Sequence, residues 1–503
     1  MPPTSNLNCV IRKLQSYIGI LGLVFFISSC EKETSSTIIH NALLVDGTGG
    51  QAIIGSLRIE NDRIVALGQL QPKDGEKIID ASGLVLSPGF IDTHSHHDWD
   101  TLRTTTAAIS QGITTIVVGQ DGGMNYPLSA YFDSITTYPL SVNVASYAGH
   151  NVLRSEVMGT DYKRHATPAE IDEMKSLLEK EMASGALGLS TGLEYDPGNY
   201  SNSEEVIELA KVAAAYDGLY ISHMRSEDIH LAESIEEIIA VGKEAALPVQ
   251  ISHFKVIGRE IWGTAPQFVK RLEEARSEGV DITADVYPYE YWQSTMKVLF
   301  LNRDFDNYET AKFALTELTR PEWVIIANFA ANRSYEGKLL SEVAELRGED
   351  PANTLMNLIS LSEKTPGESI IAKSMIDEDI RTLLSWSHSN VCSDGAPSGH
   401  PRGWGAFPKF FNMMSGMSLE ERVYKMTGLS AQHMRFNQMG TLKEGHFADL
   451  VLFDPTELKD MATFDIPNIA SQGIHTVWVN GKVVFQKGKA SGRTPGRVIK
   501  RAG

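Results

Sequence analysis

Short apolar strands alternate with amphipathic helices over residues 87–439, and this rhythm predicts an α/β fold. The expected architecture is a (β/α)8 TIM-like barrel with a small β-sandwich domain built from both chain ends. Three observations carry the expectation. The alternation is sustained over roughly 350 residues, more than an open sheet usually needs. Histidines and aspartates recur at the C-terminal ends of the apolar runs, where a barrel places its working groups. The two ends, 38–86 and 440–503, share another texture, short β segments punctuated by Gly, Asn and Asp.

At the N-terminus, Arg12 and Lys13 precede the apolar run Ile18–Ile27, which is followed by Ser28-Ser29-Cys30. A basic start, a short apolar core and small residues before a cut site make a secretory signal over 1–29, too short to span a membrane comfortably. Ile27-Ser-Ser-Cys30 resembles the lipobox of bacterial lipoproteins, which implies cleavage before Cys30 and lipid on that residue. Residues 30–37 then form a tether, and the protein is expected at the bacterial cell envelope, touching membrane only through that lipid. Cys9 leaves with the signal and Cys30 is acylated, so Cys392 stands alone and no internal disulfide can form. The net charge of −18 argues against nucleic acid, whose phosphates reward basic surfaces.

In the first β-rich end, segments 38–45, 55–60, 63–67 and 77–80 are separated by Asp46-Gly47-Thr48-Gly49-Gly50 and Asn61-Asp62. In the last, 449–453, 476–479 and 482–485 surround Asn480-Gly481, a strong signal for a tight turn. Between them, Val85–Ile91 reads as a short apolar strand broken by a Pro-Gly pair. Thr167-Pro168-Ala169-Glu170 reads as a capping box opening a helix. Strands 187–190, 219–222, 249–252 and 280–286 then alternate with helices opening near Ser203 and running over 235–246 and 268–275. An insertion at about 290–321, rich in Tyr, Trp and Phe, is expected to form a lid over the barrel mouth.

His94 and His96 stand two apart at the end of the strand 85–91, so both imidazoles can reach one point. With Asp92 and Asp98 beside them they look like half of a metal site. His223 ends Tyr220-Ile-Ser-His, and His253 ends Gln250-Ile-Ser-His one βα unit later. Asp394 ends Val391-Cys-Ser-Asp, and Asp121 lies just past the strand that begins at Thr115. Four histidines and two aspartates thus recur at one kind of position.

Ile91-Asp-Thr-His-Ser-His96, Ser222-His-Met-Arg225, Ser252-His-Phe-Lys255, Asp285-Val-Tyr-Pro-Tyr289, Ser393-Asp-Gly-Ala-Pro397, His400-Pro-Arg402 and Gly445–Asp454 together resemble the amidohydrolase superfamily, and most closely its N-acyl-D-amino-acid deacylase (D-aminoacylase) branch. The resemblance covers residues 38–503. It implies one or two Zn2+ ions, with His94 and His96 at one metal position, His223 and His253 at the other, and Asp394 as general acid/base and ligand. It further implies Lys255, Tyr287 and Arg402 as the holders of a substrate α-carboxylate, with Ser294 beside them. The implied reaction is hydrolysis of N-acyl-D-amino acids. The alternatives are an L,D-dipeptidase acting on D-amino-acid peptides, for which Glu194 or Glu290 would supply an acid for the amine, and a lipoprotein that binds ligand without turnover. One departure stands out. Where the branch carries Cys in a Gly-Asn-Cys-Gly segment, this chain has Gly119-Gln-Asp-Gly122, so Asp121 takes the cysteine's place and either bridges two ions or weakens the tight position. Trp292 and Phe300 would favour apolar substrates, and Lys297 acidic ones. Cys392 is expected to be packed inside the barrel.

Overall fold

The computed structural model describes residues 36–100 and 102–501; the signal, the lipobox and most of the tether lie outside them. Eight parallel strands form the barrel: β1 Phe90–Asp92, β2 Ile113–Val118, β3 Asn143–Ser146 continued by Ala148–Gly149, β4 Gly188–Gly192, β5 Leu219–His223, β6 Val249–Ile251, β7 Ile282–Val286 and β8 Ser389–Val391. Neighbours pair in register from β1 round to β8. The ring closes just beyond the ends of β8 and β1. Ser95 bridges Gly395 in parallel, and the amides of His96 and Asp394 donate to the carbonyls of Gly395 and His94, both at 2.9 Å. Asp92 reinforces this seam by accepting the Ser393 amide at 2.8 Å and its hydroxyl at 2.5 Å. The barrel's closure therefore carries three of the expected site residues.

The helices between strands follow local sequence closely. Thr167 and Glu170 make the reciprocal capping box at the start of Pro168–Ser184. The helix Leu231–Ala245 buries Ile235, Ile238, Ile239 and Val241, the stripe an amphipathic helix presents to a sheet.

The small β domain comes from both chain ends, as expected. Its strands are hydrogen-bonded into one nine-stranded sheet, in which Leu450–Phe453 pairs antiparallel with Val85–Pro88 and thereby joins the two ends. Period-two alternation sorts its side chains. Leu86, Leu450, Leu452 and Trp478 fill the domain's own core, while Val85, Val451, Phe453 and Val477 belong to the barrel's.

Two expectations need correction. The apolar run 85–91 is two strands in two different sheets, since Val85–Pro88 belongs to the outer sheet and Phe90–Asp92 to the barrel. Gly89 between them lies so close to β2 that a Cβ there would sit 2.2 Å from Thr114. The insertion does not end near residue 321. It continues through a three-stranded antiparallel sheet, Tyr291–Ser294, Val324–Phe329 and Glu368–Lys373, with helices Leu340–Arg347 and Pro351–Lys364. Val324, Ile326, Ile370 and Ala372 are buried, which gives it an apolar interior.

Candidate metal centre

All six expected groups meet at the C-terminal mouth of the barrel. His94 and His96 follow β1, Asp121 follows β2, His223 closes β5, His253 follows β6 and Asp394 follows β8. His94 Nε2 and His96 Nε2 lie 3.4 and 3.5 Å from Asp121 Oδ2, and each lies 3.5 Å from Asp394 Oδ1. The other Asp121 oxygen, Oδ1, is 3.3 Å from His253 Nε2 and 3.8 Å from His223 Nδ1. Asp121 thus offers one oxygen to each histidine pair.

The backbone is bent to bring these groups inward. Asp121, His253 and Asp394 have φ of +56°, +36° and +45°, left-handed conformations that cost on the order of 1 kcal/mol or more each and persist only where the surroundings impose them. For His253 the support is Asp285, a buried carboxylate on β7 that accepts the His253 amide at 2.6 Å and the Gln250 side chain at 2.7 Å. Asp121 is accommodated by Gly192, where a Cβ would stand 2.2 Å from the Asp121 carbonyl oxygen.

The electrostatics call for positive charge. Burial opposes ionisation of Asp394, yet Arg402 at 2.9 Å and the surrounding histidines hold its carboxyl well below the usual range. Asp121 is held low in the same way, against burial, by His94 and His253. Burial also opposes charge on His96 and His253, but the neighbouring carboxylates push both up to about 10. His94 is fully buried, and neither ring nitrogen has a hydrogen-bond partner. His223 Nδ1 faces His253 Nε2 at 2.9 Å, while the far nitrogens of the two rings face Glu194 at 2.8 Å and Glu227 at 3.1 Å. Imidazole nitrogens and carboxylate oxygens converging in this way are a donor set that fits a divalent cation such as zinc.

Beside this centre lies a cavity walled by Glu194, Tyr195, Lys255, Trp292, Ser294 and Arg402, with Val298, Leu299 and Leu318 forming an apolar side. A second, larger space shares Tyr195, Ser294, Asp394 and Arg402 and extends past His96 and Asp121.

Residues 77–327 and 330–485 match the family described as the amidohydrolase family. The chain is 34% identical to the D-aminoacylase of Alcaligenes xylosoxydans xylosoxydans over 94% of its own length and 99% of that protein's. The chain belongs to the amidohydrolase family. Among solved structures, this amidohydrolase superposes on a D-aminoacylase with a TM-score of 0.83 at 32% identity, covering 92% of this chain and 99% of the other. It also superposes on the N-acyl-D-glutamate deacylase of Bordetella bronchiseptica, solved with zinc and a phosphonate inhibitor, with a TM-score of 0.84 at 30% identity, covering 93% and 100%.

The amidohydrolase departs from expectation around the substrate pocket. Lys255 lines it, but its ammonium donates to both Glu227 oxygens at 2.7 Å and lies 2.6 Å from His253 Nδ1. Tyr287 is buried beneath Arg402, whose guanidinium carbon is 4.7 Å from the ring centroid, and its hydroxyl has no hydrogen-bond partner. Ser294 is at the wall, its hydroxyl 3.4 Å from that of Tyr195. Trp292 lines the cavity, whereas Phe300 is buried against Phe305. Lys297 points elsewhere, 3.6 Å from Glu363. Of the two acids considered for an amine, Glu194 is in the pocket and Glu290 is paired with Lys373 at 3.0 Å. Asp98 accepts from Asn125 and Tyr131, and Asp92 serves the barrel seam. Cys392 is buried in the barrel. Glu227 and Asp228 were not legible beforehand. They sit in the loop after β5, where no periodicity marks them, and only the four-residue spacing from His223 hints at Glu227.

Proposed function

We propose that this amidohydrolase cleaves the amide bond of N-acyl-D-amino acids, releasing a D-amino acid and a carboxylic acid, with zinc held by His94, His96, Asp121, His223, His253 and Asp394. The observation that carries the reading is the position of Asp394, whose Oδ1 faces both His94 and His96 while Oδ2 pairs with Arg402. Zinc at such a site lowers the pKa of a water to about 7 and polarises a carbonyl oxygen. Asp394, kept ionised by Arg402, takes the attacking water's proton on Oδ1 and passes it to the amide nitrogen as the C–N bond breaks. Asp394 Oδ2 faces Arg402 Nη1, and the guanidinium lines the cavity, where its planar fork can hold the substrate α-carboxylate. Tyr287, directly beneath, keeps that guanidinium in place, and Ser294 adds a hydroxyl at the pocket wall. Asp121, with one oxygen towards each histidine pair, would supply a carboxylate ligand where the cysteine of the branch stands.

The test is a screen of N-acetyl-D- and N-acetyl-L-amino acids with zinc content measured on the same sample. Turnover of D substrates and bound zinc are expected; turnover confined to L substrates would sink the reading. We also infer lipid anchoring at the cell envelope, supported by the Ile27-Ser-Ser-Cys30 sequence behind its apolar run. Cys30→Ala is then expected to move the protein from the membrane to the soluble fraction of the producing cell.

A further inference from the structure

We propose that the end of the barrel opposite the metal centre docks on an anionic phospholipid bilayer, so that the anchored molecule holds its mouth away from the membrane; the inference rests on the lipid anchor inferred above. Charge is unevenly placed in this chain. The net charge is −18, yet residues 466–503 hold seven Lys and Arg and no Asp or Glu. The fold lays the last part of that segment across the bottom of the barrel. The amides of Gly496, Ile499 and Arg501 donate to the carbonyls of Leu140, Val144 and Gly185 at 2.9, 2.7 and 3.2 Å, beside the first residues of β3 and β4. The groups of the metal centre stand at the other ends of the strands. At the bottom, Arg435, Phe447, Arg497, Lys500 and Arg501 line one recess. Arg63 joins them, since its guanidinium carbon and that of Arg497 lie 3.6 and 4.3 Å from the Phe447 ring centroid.

The tether emerges beside this basic end. The first strand of the outer sheet, Ser36–Leu44, begins with Ser36 paired to Glu60. The turn that follows Glu60 packs on Gly481, where a Cβ would stand 1.9 Å from the Asn61 carbonyl oxygen, and Asp62 pairs with Arg497 at 2.9 Å. Six residues of chain lead from Cys30 to Ser36. Fully extended, they span at most roughly 20 Å. A bilayer that holds Cys30 by its lipid therefore lies close to this end. Anionic headgroups attract basic side chains within a Debye length of about 10 Å. The acids nearby do not cancel the attraction. Asp62 and Asp217 are paired with Arg497 and Arg435 at 2.9 and 2.7 Å. Glu60 and Glu444 then stand against Lys443, Lys482, Arg493 and Lys500, all four of them exposed. Substrate reaches the metal centre from the side away from the lipid, with no headgroups across the mouth.

The experiment uses the chain as the producing cell makes it, added to preformed vesicles of phosphatidylcholine alone or with about one third phosphatidylglycerol. A membrane-impermeant amine reagent is applied at low salt, and mass spectrometry reads the labelling rate of each lysine. Lys482 and Lys500 are expected to label about three- to tenfold more slowly on the anionic vesicles. Lys312 and Lys364, exposed on the insertion, should label alike on both. Raising the salt to about 0.5 M should erase the difference. The double variant K482E/R493E should return Lys500 to its neutral-vesicle rate, with a Tm equal to the parent's. If that variant does not fold, the salt series on the parent decides. Equal rates at Lys482 and Lys500 on the two kinds of vesicle would overturn the docking and leave the anchor standing. Protection of Lys312 and Lys364 in their place would overturn it too, by turning the mouth to the bilayer. A parent that floats with neither kind of vesicle would overturn the anchor and this proposal together.

Discussion

The turns of the outer sheet and the rim of the barrel both contain residues at positive φ, but for opposite reasons. In the sheet they include Asn61, Asn480 and Gly481, residue types that enter the left-handed region readily and close tight turns on local preference. At the rim they are Asp121, His253 and Asp394, none in a hairpin turn, each held by contacts from another part of the chain. One region is shaped by its neighbours in sequence and the other by its neighbours in space. Chemistry has been placed in the second, where the fold supplies the strain that aims the side chains.

That contrast can be broken from either side. The largest effect is expected at the rim. Asp394→Asn removes the proton carrier and should lower kcat/KM on N-acyl-D-amino acids by about 10^2–10^4-fold, and by leaving Arg402 buried without its partner it should also lower the unfolding temperature of the zinc-free protein. Steady-state kinetics beside calorimetry checks both halves of the statement. In the sheet only stability should respond. Trp478→Ala empties a fully enclosed site and should cost about 3–5 kcal/mol of stability, while KM of the folded enzyme stays at the parent value. Denaturant midpoints measured with KM on one preparation would show whether the regions are as separable as this requires.

Metal removal probes the rim more gently. Zinc at a hundredfold its Kd stabilises by about 2.7 kcal/mol, so chelation should abolish turnover and lower Tm, and re-addition should restore both. The smallest effect belongs to the sheet's buried pair, Arg58 and Glu76, 2.5 Å apart. The Arg58 side chain, helped by Ser36 and the Lys73 amide against the pull of burial, takes Glu76 from an ordinary 4.5 down to about 2. Because the folded value is the lower one, the stabilisation is complete above pH about 4.5 and is lost as pH falls towards 2. Glu76→Gln should flatten the acid limb of a stability-versus-pH curve without touching the pH dependence of turnover.

How much was legible follows the same division. The Asn480-Gly481 turn and the Thr167–Glu170 capping box were readable because their determinants lie within a few residues of each other. The histidines and aspartates of the centre were readable as a set, since strand ends recur at regular spacing and a barrel converges them. Their surroundings were not. Glu227 lies in an aperiodic loop, and Lys255, expected to meet a substrate carboxylate, is already engaged by it. Nothing in the local run of sequence says that Lys255 has a buried acid within reach. The splitting of 85–91 failed for a related reason. Pro88-Gly89 reads as an interruption of one strand until two sheets are seen to need it as their junction.

That junction has a consequence for how the molecule would come apart. From Pro88, the last residue of the outer sheet's strand, to His94 at the centre is six residues of chain, passing Gly89 where no side chain can enter beside Thr114. A tug on the periphery is thus transmitted by covalent bonds to an imidazole at the heart of the molecule. Peeling away the outer strands would draw His94 and His96 out with them, so escape of the ion should announce the loss of the sheet before the barrel itself gives way.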